Sequence, residues 1–509
     1  MRPGAGDTAG PWTPPRHLPP KVFPMSTVVS PVGGIHAAPR YPSANNVAEQ
    51  GIPAGRLIRF AALGMPLAAV EVPLTTYLPA LYASALGFSL TTVGLIFLAA
   101  RLWDAVIDPA IGILSDRTRS RFGRRRPWIA IGGAIFLTGA IPVFCPPANF
   151  GPALLSLALF TLYLGYSMIA TPVAAWGGEL AGRYHERTRI ATYGQVMTSI
   201  ALLLALILPS LMVTHFADAP RLQLAGMGAM VFILFLPAML LGLTALPEPA
   251  APASPPHSEG LLRSLRLVFT DGLLLRVLAS NFAVRLGQGV RTAVFVFFVA
   301  HFIGKPMWAP GLFLLQYVFG ILACPIWLAV GRRLGKTPAA VAGELVQAAI
   351  NLGLILLTPG SVALLAGLTI AQGLAQGSGN LMLRAIVADV ADHHRLETGQ
   401  DRLGLFFSVF SLSDKAAFAV AVGIALPLLG WLGFDPARVN SRPVLNHIQL
   451  VFALGPALAH LLSALVIRGF PLNETNHGEI RRMLAARDAV GLYSDTRRDE
   501  LLAGDTLPH

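Results

Sequence analysis

Two carboxylates and one guanidinium interrupt the apolar segment GLIFLAARLWDAVIDPAIGIL. Arg101, Asp104 and Asp108 follow one another at i, i+3 and i+7, which places them on one face of a helix. A single charged group at the centre of a membrane helix costs about 2.5–3.5 kcal/mol, and two neighbouring acids also repel each other. The stripe therefore favours a cavity that holds a cation, a proton or a basic partner, and carboxylate oxygens suit Na⁺ or H⁺ better than soft metals. The alternative is a buried salt-bridge network in which Arg101 neutralises one acid.

The composition is that of an integral membrane protein. The 509 residues are 54% hydrophobic and 13% charged, with a mean hydropathy of +0.62. The net charge of +12 indicates orientation in a bilayer rather than nucleic-acid binding. Cys145 and Cys324 are too few and too far apart for a disulfide framework or a metal site. We expect no cofactor, no metal other than a coupling ion, and no enzyme activity.

Twelve apolar segments are long enough to cross a hydrocarbon core of about 30 Å as helices. They cover residues 57–85, 91–114, 127–145, 152–181, 190–215, 223–246, 273–302, 308–331, 338–358, 361–390, 403–432 and 446–469. We expect a disordered tail over 1–54, a six-helix bundle over 55–246, a cytoplasmic linker over 247–270, a second six-helix bundle over 271–470 and a cytoplasmic tail over 471–509. Within the last tail, a surface helix is predicted over GEIRRMLAARDAVGLYSDTRRDELL.

The loops alternate in charge, which predicts the orientation. One set of loops and helix ends carries Arg117, Arg119, Arg121, Arg124, Arg125, Arg126, Arg183, Arg187, Arg189, Arg332, Arg333, Lys336, Arg395 and Arg402. The other set carries only Arg221, Lys305, Arg438 and Arg442. The excess of Lys and Arg marks the cytoplasmic side, so both termini are predicted to be cytoplasmic in a multi-pass protein of the cell membrane.

Polar stripes in other segments are candidate solute contacts. In the seventh segment Asn281, Arg285 and Gln288 share a face, and in the tenth Gln372, Gln376 and Asn380 recur every four residues. Glu71, Tyr77 and Trp176 complete the set of candidate contacts. Such stripes either join helices or contact a ligand. The Arg285 guanidinium suits an anionic solute such as a hexuronide, and its alternative role is an ion pair with Glu71 or another acid.

The segment RLWDAVIDPAIGILSDRTRSRFGRRRPWIAIGG resembles the conserved pattern of the glycoside–pentoside–hexuronide:cation symporters, the melibiose-permease branch of the major facilitator superfamily. GGELAGRYHERTRIATYGQ and IVADVADHHRLETGQDRLGLFFSVFSLSDKAAF resemble further patterns of that branch. A weaker echo of the first pattern, CPIWLAVGRRLGKTP, supports two related halves with a site between them. The resemblance covers about residues 57–469 and implies an all-α fold of twelve transmembrane helices in two six-helix halves.

The resemblance also implies roles for individual residues. Asp104 and Asp108 match the two acids that bind Na⁺, Li⁺ or H⁺ in the family, and Lys415 matches the lysine that approaches them from the other half. The first-helix sugar-binding acid of the galactoside permeases falls near Pro66, which cannot replace it. The fourth-helix acid falls near Thr171, so Thr171 or a backbone carbonyl becomes the expected third cation ligand. Melibiose-type sugar binding is therefore in doubt.

We expect a monomeric symporter that couples a small solute to Na⁺ or H⁺ by alternating access. The solute is predicted to be a sugar, glycoside or hexuronide, and the alternatives are a lipid-like solute or a membrane sensor or assembly factor without transport. Charged residues near the cytoplasmic ends are expected to form the gate, in which the loop SDRTRSRFGRRR pairs with Asp116, Glu186 or acids of the other half such as Asp389. These gating residues are Asp116, Arg117, Arg121, Glu179, Arg187, Asp389 and Arg402.

Overall fold

The computed structural model of the protein describes residues 52–180, 184–216, 219–248 and 270–488, without the side chains of 184–188 and 213–214. All regular structure in these ranges is helical. Most of the tail predicted over 1–54 and of the linker predicted over 247–270 lies outside the described residues. The boundary between the two six-helix bundles therefore stays a prediction.

Twelve long helices follow the twelve apolar segments of the sequence. They are α1 (Ala54–Ser84), α2 (Leu90–Arg117), α3 (Arg126–Phe144), α4 (Pro152–Leu180), α5 (Tyr184–His215), α6 (Pro220–Gly242), α7 (Gly272–Phe302), α8 (Ala309–Leu334), α9 (Lys336–Leu356), α10 (Val362–Thr398), α11 (Leu403–Trp431) and α12 (Arg442–Ile467). Eleven of them are long and apolar enough to span a membrane, and α10 is the exception. The amides and charges of α10 lower its hydropathy, although its 37 residues exceed the length that a bilayer requires.

Helix α1 is irregular where it carries candidate site residues. It contains a 3₁₀ turn at Ala62–Gly64 and a π turn at Pro73–Tyr77. Proline cannot donate a backbone hydrogen bond and its ring displaces the preceding turn, which explains the distortion beginning at Pro73. Such π turns are frequent at functional sites. Glu71 lies two residues before the π turn, and Tyr77 is its last residue.

Helices α2 and α11 run antiparallel and approach each other most closely away from the arginine-rich loops. A methyl group on Gly94 would lie 2.7 Å from Cδ of Pro427, and one on Gly423 would lie 2.7 Å from Cδ2 of Leu98. Glycine at these positions allows the two backbones to pack closely. We call the end that contains Arg117 and Leu403 the basic end, and the end that contains Leu90 and Trp431 the opposite end.

Adding a methyl group at Gly94 tests the close packing of α2 on α11. Gly94→Ala should separate α2 from α11 at the opposite end, at a cost of about 1–3 kcal/mol to this arrangement. A cysteine placed at Thr91, in a background without native cysteines, should then react faster with a membrane-impermeant maleimide. Gly55→Ala is the control, because its added methyl group meets nothing within 4 Å. Equal labelling of the two variants would contradict the expectation.

The C-terminal segment folds onto the basic end. Residues 474–488 form a helix, α13, and the remainder of the predicted surface helix lies outside the described residues. Its Ile480 and Leu484 are buried in one apolar cluster with Leu274, Phe406 and other residues of α7, α10 and α11. The segment is therefore packed against the membrane helices rather than being only a surface helix.

Candidate functional site

The two acids of α2 meet the lysine of α11. Nζ of Lys415 lies 2.8 Å from Oδ2 of Asp104 and 2.5 Å from Oδ2 of Asp108. Asp104 is fully buried, whereas the side chains of Lys415 and Asp108 are 23% and 29% exposed. The ammonium group therefore occupies the space between the two carboxylates and remains partly accessible from one side.

Hydroxyl groups of α4 bind the other oxygens of the same carboxylates. Ser167 donates to Oδ1 of Asp104 at 2.9 Å, and Thr171 donates to Oδ1 of Asp108 at 3.4 Å. Thr171 was predicted at this site, but Ser167 was missed. Ser167 lies one helical turn before Thr171, so the i, i+4 relation was the signal that could have identified it. Two carboxylates and two hydroxyls provide the oxygen donors that a small hard cation requires.

Arg101 extends the cluster to α1. Its Nη2 donates to Oε1 of Glu71 at 2.6 Å, while its Nη1 lies 4.0 Å from Asp104. The guanidinium also lies 5.0 Å from the ring centre of Tyr163. With all groups ionised, the three acids Glu71, Asp104 and Asp108 face two cations, Arg101 and Lys415. The cluster therefore carries a net charge of −1 inside the bundle.

A cavity of about 970 Å³ extends from Glu71 towards the basic end between α1, α4 and α5. Its walls are mainly small or apolar, including Phe60, Ala170 and Gly194, and Tyr166 lies close to Glu71 along it. Trp176, a candidate solute contact, is fully buried and packs edge-to-face on Phe60 at 5.1 Å. A solute in this cavity could contact Trp176 only after Phe60 moved.

The polar stripe of α7 is bound to α11. Arg285 contacts Oδ1 of Asp414 at 2.9 Å, and Asn281 donates to the same oxygen at 2.7 Å. Asp414 was not among the predicted site residues, although it directly precedes Lys415. The alternative role of Arg285 as an ion-pair partner is thus observed, with Asp414 instead of Glu71. The partner of Glu71 is Arg101.

Some of the remaining amides of α7 and α10 lie beside Arg285 or bond α8, and another bonds α9. Gln288 bonds both Arg285 (3.2 Å) and Asn380 (3.4 Å), and Gln376 accepts a bond from Gln316 of α8 at 2.8 Å. Gln372 is 1% exposed and instead bonds Gln347 of α9, away from the Arg285 stripe. Tyr77 is 5% exposed and borders a separate cavity of about 590 Å³ at the opposite end.

The Arg285–Asp414 pair can be tested by a double-mutant cycle. Arg285→Gln leaves the partly buried Asp414 without its cation and should lower the free energy of unfolding by about 2 kcal/mol. The double variant Arg285→Gln/Asp414→Asn removes both charges and should recover most of that loss. Thermal unfolding in detergent measures both effects. If the double variant is as unstable as the sum of the single variants, the two residues do not interact.

At the basic end, the acids in the last turns of α2 and α4 bind arginines of the loop between α2 and α3. Arg125 contacts Asp116, Ser115 (2.7 Å) and Glu179 (2.6 Å), and Arg124 contacts Glu179 at 2.6 Å. Burial alone would lower the pKa of Arg125, but hydrogen bonds to Glu179 and Asp116 and their charges raise it overall. The pairing arginines are thus Arg124 and Arg125, which belong to the loop predicted to bind Asp116 but were not singled out as gating residues.

The other predicted gating residues lie in separate places. Asp389 binds Lys336 of α9 at 2.6 Å and lies 3.4 Å from His477 of the C-terminal segment, so these contacts join it to its own half of the chain. Arg121 lies over the ring of Phe122, and Arg402 bonds Gln400. Arg117 ends α2, and the side chain of Arg187 lies outside the described residues. Asp116 and Glu179 thus pair with arginines of the first half and Asp389 pairs with a lysine of the second, and the gate between the halves stays a prediction.

Solved structures show the same fold. The nucleoside transporter NupG superposes with a TM-score of 0.59 over 81% of this chain and 99% of its own, at 15% identity. At this identity the likeness establishes the fold alone, which is the twelve-helix fold of the major facilitator superfamily. The described residues therefore form an all-α protein with this fold.

Sequence comparisons place the chain more narrowly. The family model described as MFS/sugar transport protein matches residues 59–474. The chain belongs to this family, of the glycoside–pentoside–hexuronide:cation symporter type, as the sequence patterns predict.

Similar proteins include three curated relatives. An uncharacterized symporter of Synechocystis, sll1374, is 26% identical over 79% of this chain and 91% of its own length. The isoprimeverose transporter of Lactiplantibacillus pentosus is 25% identical over 77% and 83%. The glucuronide carrier protein homolog of Escherichia coli is 25% identical over 79% and 89%. The chain is therefore a membrane transporter by family.

Proposed function

We propose that this protein is a cation-coupled symporter that carries a sugar, glycoside or hexuronide by alternating access. The observation that carries the proposal is the acid cluster at Asp104 and Asp108, which has one more acid than bases and contacts helices from both halves. One monovalent cation would make this cluster neutral. A neutral cluster can be enclosed by the bundle at far lower cost than a charged one.

The arrangement of Lys415 suggests how the cation is exchanged. The ammonium lies where a sodium ion or a proton would neutralise the same two carboxylates. Cation and ammonium therefore compete for these oxygens, and cation binding would displace Lys415 from direct contact with α2 while its charge stays within the cluster. Because α2 and α11 belong to different halves, this exchange would loosen one contact between them and favour their relative movement. A permanent structural ion pair would have the same geometry, so the proposal depends on the exchange.

The solute would bind between Glu71 on α1 and the stripe on α7 and α10. The guanidinium of Arg101, which binds Glu71, also lies 5.9 Å from the ring centre of Phe418 on α11, so both halves meet beside Glu71. Carboxylate, amide and hydroxyl groups there suit the hydroxyls of a sugar. Two relatives support this substrate class: one is named an isoprimeverose transporter, and the other is named a glucuronide carrier protein homolog. A uronate carboxylate would have to share Arg285 with Asp414.

One observation favours a different solute. The cavity beside Glu71 is bounded mostly by apolar and small residues, which offer few hydrogen bonds to a bare sugar. A glycoside with an apolar aglycone, or a lipid-like molecule, would fill it better. This alternative keeps the same cation site and differs only in the solute.

The same proposal includes the orientation and state of the protein. The arginine-rich loops would place the basic end and both termini on the cytoplasmic side of a bacterial inner membrane. The protein would act as a monomer. The close α2–α11 contact lies at the opposite end, and the cavity beside Glu71 extends towards the basic end. This arrangement corresponds to an inward-facing state.

Reconstitution tests the function directly. Purified protein in liposomes should catalyse counterflow of a labelled glycoside or uronide, and Na⁺, Li⁺ or an inward proton gradient should accelerate it. A panel of bare sugars, aryl glycosides, uronides and lysolipids distinguishes the two solute classes. Absence of counterflow with every solute and cation would favour the sensor or assembly-factor alternative and refute the proposal.

A further inference from the structure

A second charged network lies inside the last six helices, apart from the cation cluster. Arg291 of α7 donates to Oδ1 of Asn351 at 2.8 Å, and Asn351 donates to Oε1 of Gln372 at 3.4 Å. Gln372 donates to Oε1 of Gln347 at 3.1 Å, and Gln347 donates to Oε1 of Glu344 at 3.5 Å. Each amide side chain thus accepts a hydrogen bond from the neighbour nearer Arg291 and donates one to the neighbour nearer Glu344.

The carboxylate at the end of this chain contacts a histidine. Nδ1 of His460 on α12 lies 2.6 Å from Oε2 of Glu344, and both side chains are only 1% exposed. Arg291 is 4% exposed and its guanidinium lies 5.0 Å from the ring centre of Phe452. Ionisable groups at such depth in a membrane helix bundle are costly and are functional-site candidates for that reason.

The surrounding backbone leaves room for the carboxylate. A methyl group on Gly379 of α10 would lie 1.9 Å from Oε1 of Glu344. Any larger residue at Gly379 would displace the acid from its contacts with Gln347 and His460. The helix packing therefore accommodates a carboxylate at this position.

The charges of the network are balanced only in one protonation state. With Arg291 charged, Glu344 ionised and His460 neutral, the network has no net charge, and a proton on His460 makes it +1. Of the other helices that contact α12, α7 contributes Arg291, α9 contributes Glu344, and the charged Asp414 and Lys415 of α11 are bonded elsewhere. His460 therefore experiences one attracting carboxylate nearby and one repelling guanidinium farther away.

We propose that the Glu344–His460 pair is a second ion site of this protein, which reversibly binds one proton and is separate from the cation cluster on α2 and α11. In the neutral imidazole Nδ1–H donates to Glu344, and Nε2, which has no hydrogen-bond partner among the described residues, receives the added proton. Only this N–H bond forms or breaks, and no group is oxidised or reduced.

The network connects this site to the helix that carries the Arg285 stripe. Arg291 and Arg285 are both on α7, so a movement of α7 that changes the distance from Arg291 to Glu344 changes the affinity of His460 for the proton. By linkage, proton binding must change the free energy of that movement by the same amount. The external pH would thereby modulate the state of α7 without any change at Asp104 or Asp108.

Nuclear magnetic resonance of the full-length protein with isotope-labelled histidine tests the proposal without any transport assay. The signal that disappears in His460→Gln should shift with pH between 5 and 9 in the wild type. In Glu344→Gln the midpoint of that shift should move to a pH lower by about 1–3 units, since the attracting charge is lost. In Arg291→Gln it should move to a higher pH. His447, which lies on the same helix and contacts the carbonyl of Leu432, is the internal control.

The wild-type titration alone can overturn the proposal, even if the variants fail to fold. A His460 signal that stays constant from pH 5 to 9 would mean that the pair is a fixed structural contact. Midpoints that move in the same direction in Glu344→Gln and Arg291→Gln would exclude the electrostatic connection along the amides. Failure of cation-coupled counterflow would leave these outcomes unaffected, so the two proposals can fail independently.

Discussion

Asp104→Asn should abolish the cation dependence of transport while leaving the protein folded. The substitution raises the net charge of the cluster from −1 to 0, so that no cation is needed to neutralise it. A unit charge at about 4 Å in a medium of effective dielectric constant near 20 contributes about 4 kcal/mol of attraction. We therefore expect cation binding to weaken roughly 100-fold or more, and solute to equilibrate across the membrane without accumulating.

The measurement compares cation-driven accumulation with counterflow in the same proteoliposomes. Asp435→Asn, in an exposed loop between α11 and α12, is the matched control and should retain both activities. Ser167 remains able to hydrogen-bond the asparagine, which supports folding of the variant. Continued accumulation against a gradient by Asp104→Asn would remove Asp104 from the cation site.

Helix positions and the α2 acids could be predicted from the sequence for a simple physical reason. A bilayer requires uninterrupted apolar segments of fixed length, and charges inside such segments are rare enough to be noticed singly. Asp104, Asp108 and Lys415 were recognised in this way, and the family pattern paired them. The helix ends agree with the predicted segments to within a few residues except at α5 and α10, where polar residues continue the helices beyond the apolar segment.

The partners of the other charges could not be predicted, because they depend on the angular position of one helix against another. Arg285 could have paired with Glu71, and only the packing of α7 on α11 selects Asp414. Gln372 and Gln376 are one turn apart on the same helix, yet one lies in the buried Glu344 network and the other bonds Gln316. Glu344 and His460 are 116 positions apart, and each alone resembles an isolated polar residue in an apolar helix.

The same limitation applies at the basic end. The sequence shows six arginines between the end of α2 and the start of α3, but their spacing does not indicate which ones turn towards Asp116 and Glu179. The positive φ of Gly123 reverses the chain immediately before Arg124 and Arg125, and Glu248 accepts hydrogen bonds from the backbone of residues 124–126. This local geometry directs Arg124 and Arg125 to the acids and leaves Arg121 exposed.

Lys415→Gln should have the opposite effect to Asp104→Asn on cation binding. Removing the ammonium changes the net charge of the cluster from −1 to −2 and removes the group that competes with the cation. We expect the dissociation constant for Na⁺ to fall by about tenfold or more, which corresponds to at least about 1.4 kcal/mol. The empty cluster would then be too highly charged to be enclosed, so the return of the unloaded protein should become slow.

Lys415→Gln should affect counterflow and net uptake differently. Counterflow requires only the loaded protein to move and should persist in Lys415→Gln, whereas net uptake requires the unloaded return and should be lost. The Na⁺ dependence of thermal unfolding measures the affinity, and Lys305→Gln, an exposed lysine at the opposite end, is the control. If Lys415→Gln binds Na⁺ no more tightly than the wild type, the ammonium is a permanent structural partner of Asp104 and Asp108, and the exchange of cation for lysine does not occur.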